Sequence, residues 1–157
     1  MSQPGNKSMV RVPRATRGDV PAIVALLVDD PLGATRESAG EHTAYLAAFD
    51  AIDADPAHEL VVLDDDGEVV GTLQLTLLPS LSRGGALRAQ IEAVRVASSR
   101  RGQGLGEGLF RWAIDEARSR GAVLVQLTTD ATRVDAQRFY EQRLGFTPSH
   151  VGMKLSL

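Results

Sequence analysis

Arg100-Arg101-Gly102-Gln103-Gly104-Leu105-Gly106 is the stretch whose reading decides the fold. It follows an apolar run, Val94 to Val96, and leads into Leu105 to Arg120. There Leu105, Leu109, Trp112 and Ala113 form one helical stripe, widened by Phe110, Ile114 and Ala117. Three glycines at alternate positions therefore stand where a long helix begins. Glycine admits a positive φ and lets another molecule approach the backbone closely. The first turn of a helix carries N–H groups with no intrahelical acceptor, and the helix dipole adds positive potential there. Strand, glycine turn and helix N-terminus together predict an anion site suited to a phosphate or pyrophosphate. The bland alternative is a glycine-rich turn that only caps the helix.

The residues just upstream carry a second signal. Leu87, Ala89 and Ile91 occupy odd positions, whereas Val94 and Val96 occupy even ones, so a regular strand would split them between two faces. One extra residue at Glu92-Ala93 would put them on a single face, which predicts a β-bulge there. A strand buried on both faces would read the same way. Downstream, Gly121 suits a helix C-terminus, and Ala122 to Leu127 is a continuous apolar run, as in a central buried strand. Asp135 to Arg143 reads as a short helix capped by its Asp and ended by Gly145. Phe146 to Leu157 supplies two last strands or one bent strand.

Farther upstream, Asp64-Asp65-Asp66-Gly67 joins two β-branched runs, Glu59 to Leu63 and Glu68 to Leu78, as a hairpin. Gly71 marks a possible bulge, and Pro79 to Gly85 is a polar loop. Val10 to Thr16 reads as a first strand. Asp19 and Pro21 then open a helix with Val20, Ile23, Val24 and Leu27 on one face. The connector Pro31 to Glu37 follows, then a second helix from about Ser38 to Ile52 with Tyr45, Phe49 and Ile52 as its stripe. The order is strand, two helices, three strands, helix, strand, helix and one or two closing strands, an α/β (α+β) sandwich with a mixed sheet.

Bulk properties bound the rest. A chain of 157 residues suits one domain, here 10–157 behind a polar lead, 1–9, read as disordered. Apolar content of 43% with 24% charged residues is that of a globular protein. A net charge of −3 gives no global field for nucleic acid. Without cysteine there is no disulfide framework, thiolate metal site or cysteine nucleophile. No apolar run is long enough for a transmembrane helix and no secretory leader is visible, so the default is a cytoplasmic protein. His42, His58 and His150 lack ligand spacing, and no metal site is expected.

The glycine stretch lacks the Lys-Ser or Lys-Thr of a P-loop, and its spacing does not fit the dinucleotide G-x-G-x-x-G. It does fit R-x-x-G-x-G, through Arg101, Gly104 and Gly106. A second motif lies downstream: Ala136-Gln137-Arg138-Phe139-Tyr140-Glu141-Gln142-Arg143-Leu144-Gly145-Phe146 is similar to A-x-x-F-Y-x-x-x-G-F with one added residue. Both motifs, in this order and at this separation, resemble those of the GNAT superfamily of acetyl-CoA-dependent N-acetyltransferases. The resemblance covers roughly Val10 to Leu157 and is sharpest from Ile91 to Phe146. It implies a mixed, mostly antiparallel central sheet of six to seven strands flanked by about four helices. It also implies that Arg101, Gly102, Gln103, Gly104, Leu105 and Gly106 wrap the pyrophosphate of acetyl-CoA. Val94, Arg95 and Val96 would lie along the pantetheine arm, with a backbone N–H near Val94 polarising the thioester, and Arg100, Thr129, Arg133 and Tyr140 as further cofactor contacts. Arg133 stands where many family members carry Asn, leaving Asp130 or Thr129 as substitutes. Ser149-His150 and the run Arg133 to Tyr140 look like aminoalkylphosphonate N-acetyltransferases, and Ile91 to Val94 is similar to glucosamine-phosphate acetyltransferases.

The chemistry narrows the catalytic candidates. An ammonium cannot attack a thioester until a base takes a proton, directly or through water. Glu92, a carboxylate in an apolar strand beside the expected bulge, is the candidate base, with burial expected to raise its pKa; the alternative is an ion pair with Arg88 or Arg95. The resemblance assigns Tyr140 as the acid for the leaving thiolate, and a phenol is close enough in pKa to serve; the alternative is a core aromatic beside Phe139. Arg83, Arg88 and Arg95 read as a solvated face or as the lining of an anionic acceptor site. The acceptor is expected to be a small-molecule amine, with its pocket drawn from Leu32 to Glu37, the Leu78–Leu87 loop and the closing strands. A homodimer is expected by analogy. The rival readings are a non-catalytic acyl-CoA-binding or sensing module and an acetyltransferase of a protein or tRNA-linked amine.

Overall fold

The computed structural model describes residues 10–37 and 42–157. The expected lead, 1–9, and the expected start of the second helix, 38–41, lie outside these residues. The element order is β1 (Val10–Arg11), α1 (Val20–Val28), α2 (Thr43–Ala54), β2 (His58–Asp65), β3 (Glu68–Leu78), α3 (Ser82–Gly85), β4 (Arg88–Val96), α4 (Leu105–Ser119), β5 (Leu124–Gln126) and α5 (Val134–Leu144). The five strands form one sheet in sequence order, antiparallel throughout except for the parallel β4–β5 pair. A parallel neighbour needs a crossover, and α4 supplies it.

Two apolar layers sandwich the sheet. On one face Val61, Leu73, Leu75, Ala89 and Ile91 pack against Leu109, Phe110, Ala113 and Ala117 of α4. On the other, Val62 packs with Ala15 and with Val20, Ile23, Val24 and Phe49 of α1 and α2. The alternation Val61/Val62 is thus the period of two that a strand covered on both faces requires.

The β2–β3 hairpin closes at Asp66 and Gly67, both with left-handed φ, 51° and 90°, as a two-residue turn of this hand requires. The bulge expected beside Gly71 is present as a register shift between Leu63 and Asp64. The bulge expected at Glu92-Ala93 is present too. Gln74 pairs with Glu92 and Thr72 with Arg95, so three steps on β4 face two on β3. Ala93 absorbs the extra residue with φ 52°. Ala89, Ile91 and Val94 consequently all meet the α4 core.

Several expectations are corrected. Among the described residues the sheet has five strands, not six or seven, because Phe146 to Leu157 forms no strand. The described residues hold five helices rather than four, since the polar loop holds the short turn α3, in which Arg83 and Gly84 are left-handed. The first strand is only Val10–Arg11, because Pro13 interrupts it; Ala15 N–H still donates to Leu60 O at 2.8 Å. Ala122 to Leu127 yields an edge strand, not a central one: Val123 is 71% exposed. Its continuous apolar run reflects packing under α4 and α5 rather than burial on both edges.

Candidate active site

β4 and β5 pair only at Arg88–Leu124, Ala89–Val125 and Gln90–Gln126. Beyond Gln90, β4 runs on to Val96 while β5 has already ended. The sheet therefore opens into a slot whose one wall is the β5-facing edge of Ile91 to Val96. Those backbone groups have no ladder partner on that side, so an extended ligand can pair with them.

The glycine stretch sits at the end of this slot. Ser98–Arg100 make a single 3-10 turn, and Gly104 caps α4 with φ 78°. Gly102 has the same φ, and nothing lies within 4 Å of a Cβ built on either residue. These two glycines are required by backbone conformation; Gly106 is not, and a Cβ there would sit 3.7 Å from Val96 Cγ2. Residues 101–104 are exposed. The first amides of α4 thus face open space above the slot, an arrangement that fits a pyrophosphate.

The flanking arginines have different duties. Arg101 lies 3.9 Å from Asp29, at the end of α1. Asp29 also accepts the Ser98 N–H at 3.0 Å, and these hydrogen bonds, foremost the backbone one, hold its carboxyl below the usual range, aided by Arg101. Arg100 turns away from the loop to the hairpin, with Nη1 at 2.5 Å from Asp65 and Nη2 at 3.5 Å from Glu68. Its placement among the cofactor contacts is therefore not supported: the guanidinium is already committed to the buried Asp65. Arg95 donates to Val94 O at 2.8 Å and pairs at 3.5 Å with the buried Asp30. Asp30 also receives the Gly33 N–H, and Gly33 is so close to α1 that a Cβ would sit 1.8 Å from Leu27 O. The end of α1 is thereby locked against β4 just past the bulge.

Tyr140 lies on α5, ringed edge-on by Phe110, Phe139 and Phe146 at centroid distances of 5.4, 5.7 and 6.3 Å. Burial pushes its pKa up from 10.0, opposed by the guanidinium groups of Arg133 and Arg95 and by the Thr129 hydroxyl. The phenol therefore holds its proton at neutral pH and can donate it. Thr129 Oγ1 is itself buried, with no hydrogen bond of regular geometry. Arg133 occupies the N-cap of α5 without a side-chain cap bond. The capping turn is made instead by Asp130, whose Oδ1 accepts from Thr132 N at 2.9 Å and Oγ1 at 2.6 Å. Those bonds, then Arg36 and Arg133, hold its carboxyl low. Asp130 is a clamp within the protein.

Glu92 differs from expectation. It is exposed, so the burial invoked to tune it is missing, because the bulge turns it onto the face that α1 and α2 leave open. It pairs with neither Arg88 nor Arg95. Instead a polar row crosses the sheet. Arg88 Nη1 donates to Gln126 Oε1 at 3.3 Å, Gln126 Nε2 to Gln90 Oε1 at 2.9 Å, and Gln90 Nε2 to Glu92 Oε1. The row has a cation at one end, a carboxylate at the other, and two oriented amides between them. Gln90 and Gln126 were missed in the sequence. The signal was present: Arg88, Gln90 and Glu92 alternate with Ala89 and Ile91, and Gln126 is the one polar residue in Ala122 to Leu127.

Beside the row, Ala93 and Gln74 border an apolar cavity of about 120 Å³ between the sheet and α1 and α2, lined by Ile23, Leu27, Tyr45 and Phe49 among others. Tyr45 is fixed by its hydroxyl, which donates to Glu37 at 2.6 Å. Of the acceptor pocket expected from Leu32 to Glu37, Glu37 reaches this region through Tyr45. Arg83, Arg88 and Arg95 do not form one cluster: Arg95 stands at the far end of β4 from Arg88, and Arg83 is exposed on α3.

Known proteins share this sequence and fold. The acetyltransferase (GNAT) family pattern matches residues 21–146. The aminoalkylphosphonate N-acetyltransferase of Salmonella typhimurium is 32% identical over 136 residues, 87% of this chain and 84% of that one. The glucosamine 6-phosphate N-acetyltransferase of Trypanosoma brucei brucei is 36% identical over 91 residues, 58% of this chain and 59% of that one. Among solved structures, a protein described as a transcriptional regulator from Bacillus halodurans superposes with a TM-score of 0.91 at 47% identity, over 94% of this chain and 99% of that one. The chain belongs to the acetyltransferase (GNAT) family, whose enzymes use acetyl-CoA.

Proposed function

We propose that this protein transfers an acetyl group from acetyl-CoA directly to the primary amine of a small molecule, with Glu92 as the base and Tyr140 as the acid. The observation that carries this reading is the slot between β4 and β5, with Glu92 on one face of the sheet, Tyr140 on the other and the glycine nest at its end. Gly102 to Gly106 hold the pyrophosphate through backbone N–H groups, and Val94 to Val96 present their backbone to the pantetheine. Acetyl-CoA supplies the acetyl group as a thioester and leaves as a thiol. Glu92, directly or through water, takes the proton that blocks the amine lone pair. The Tyr140 hydroxyl gives a proton to the departing sulfur. No acyl-enzyme is needed.

The acceptor is read as a small amine that also bears a phosphonate or phosphate. Both curated relatives are named for such substrates, and the polar row matches that polarity, with Glu92 for the ammonium and Arg88 toward the anion. In the same reading the protein works in the cytoplasm as a homodimer, without nucleic acid; among the described residues no helix is long and apolar enough to cross a membrane. The alternative of an acyl-CoA-sensing module draws on the name of the Bacillus halodurans protein. An acetyltransferase acting on a protein or tRNA-linked amine is the other alternative.

The test is thiol release from acetyl-CoA across a panel of amines, neutral and phosphonate- or phosphate-bearing. The chain has no cysteine, so it adds no background. The expected result is turnover with the anionic amines, and an Arg88→Ala variant that raises KM for these by about tenfold or more, the worth of one charged hydrogen bond, with kcat retained. Tight acetyl-CoA binding with a silent panel would favour the sensor.

A further inference from the structure

The apolar pocket between the sheet and the helices α1 and α2 has Glu92 at its edge. Ala93, the next residue, and Gln74, paired opposite Glu92 on β3, both line it. Val24, Phe49 and Thr72 are buried in it, whereas Ala48 and Ala93 are exposed at its mouth. The interior is apolar even where the residue is not. The Thr72 hydroxyl donates to Val61 O at 2.9 Å, and the Tyr45 hydroxyl to Glu37 at 2.6 Å. Among the described residues no charged side chain lines the pocket. Water in such a lining has few hydrogen-bond partners, so an apolar group that displaces it binds favourably.

The rim has the opposite character. One carboxylate, Glu37, is held at the Tyr45 hydroxyl, and a second, Glu92, adjoins Ala93. Gln74, half-buried between pocket and sheet, adds an amide oxygen opposite Glu92. An apolar interior under two carboxylates is complementary to a cation that carries an apolar tail. The size of the tail follows from the volume. A cavity of about 150 Å³ with this kind of lining takes a benzene ring, so 120 Å³ suits a compact branch of about three or four carbons. The direction follows from β4. The polar row leaves Glu92 toward Arg88, and the pocket begins on the other side, at Ala93.

We propose that this pocket binds a compact alkyl substituent of the amine acceptor, with the ammonium held at the rim by Glu92 and Gln74. The acceptor is then a primary amine with an apolar branch on one side of the nitrogen and its anionic group on the other. Gln74, Phe49 and Ala93 become residues that set specificity. The inference rests on the acetyl-transfer reading for taking the bound amine as the acceptor; the preference of the pocket for an alkylammonium is a binding property of its own.

The test is a nuclear magnetic resonance titration of the full chain with methyl-, ethyl-, propyl-, butyl- and hexylammonium, and with butanol. Affinity should rise about fourfold per methylene up to the butyl chain and level off at hexyl, where the pocket is full. Butanol should bind about tenfold more weakly than butylammonium, for want of the charged hydrogen bonds. The methyl protons of bound butylammonium should give cross-peaks to Phe49 and Ala93. A flat series, a rise that continues unbroken to hexyl, equal binding of butanol, or cross-peaks to other surfaces alone would overturn the proposal. Ala48→Phe, a change at an exposed helix position that circular dichroism can show to be folded, should plug the mouth and erase the gain from ethyl to butyl; a gain that survives counts against the pocket. No acetyl-CoA enters this titration. Thiol release that fails while the series holds would sink the transfer reading and leave the pocket as an amine site, whereas turnover with a flat series would sink the pocket alone.

Discussion

The sheet has one side that is finished and one that is not. From β2 to β4 the ladders are long, helices cover both faces, and Val61, Leu73, Leu75, Ala89, Leu109 and Ala113 are wholly buried. From β5 to Leu157, the strand is three residues long, α5 buries nothing completely, and Val151, Met153, Leu155 and Leu157 lie bare. Stability is concentrated on the first side. The proposed site sits at the seam between the two, where β4 outruns β5. A site placed there has one rigid wall and one wall whose closure depends on what covers it.

The largest test of this contrast is a pair of truncations. Leu109→Ala removes a wholly buried side chain under the finished half and should destabilise by about 2–5 kcal/mol. Leu144→Ala, half-buried on α5, should cost roughly half of that or less in dilute protein. Urea unfolding of both variants reads the difference. Equal losses would erase the distinction between the sides. A Leu144→Ala loss well below that of Leu109→Ala would sharpen it.

The seam itself comes next. Tyr140→Phe should lower kcat by on the order of 10²-fold or more while leaving acetyl-CoA binding and urea stability close to the parent. Unchanged turnover would reduce Tyr140 to a core aromatic. Glu92→Gln should also lower kcat by about 10²-fold while acetyl-CoA affinity is retained. Unchanged turnover would show that a water or another group takes the ammonium proton. Since Glu92 stands in solvent at the end of the amide row, Gln90→Leu should lower kcat to a smaller extent by freeing the carboxylate from its place.

Smaller effects separate the glycines. Gly104→Val forces a β-branched residue to φ 78°, a strain of about 1–2 kcal/mol, and places a side chain where the pyrophosphate would lie. Acetyl-CoA affinity measured by calorimetry should collapse. Gly108→Ala, inside α4 with open space around its Cβ, should keep that affinity and stabilise by roughly 0.5–1 kcal/mol. Equal affinity in both variants would leave the loop as a helix cap.

The finished half was the legible half. Local signals decide it: Asp66-Gly67 for the hairpin, the odd-to-even switch between Ile91 and Val94 for the bulge, Gly104 and the Leu105–Leu109–Trp112 stripe for α4. Each is a property of a few neighbouring residues. The unfinished half was misread wherever the answer depended on what lies across the sheet. Ala122 to Leu127 is apolar because α4 and α5 pack on it, and nothing in those six letters says that its outer edge is free. Val151 to Leu157 has the letters of a strand, but a strand needs a partner, and these residues pair with none in the sheet. In the site, the Gly loop and Tyr140 were readable as motifs. The role of Arg100 was not, since Asp65 is 35 positions away, and neither was the Gln90–Gln126 link that fixes the row to which Glu92 belongs.

The smallest effect tests how far Tyr140 is shielded. Its folded pKa lies above 10.0, chiefly through burial. The native state therefore keeps the phenolic proton to higher pH than the unfolded chain does. Below pH 10 both states are protonated and the shift contributes nothing further. Above it the unfolded state loses its proton first, so stability falls as pH rises toward the folded pKa. Tyr140→Phe has no proton to lose. Urea unfolding from neutral to strongly alkaline pH should thus show the parent losing stability more steeply than the variant, with parallel behaviour below pH 10. Identical alkaline slopes would mean that the phenol is as wet in the folded protein as in the unfolded one, and that the wall carrying it stands open.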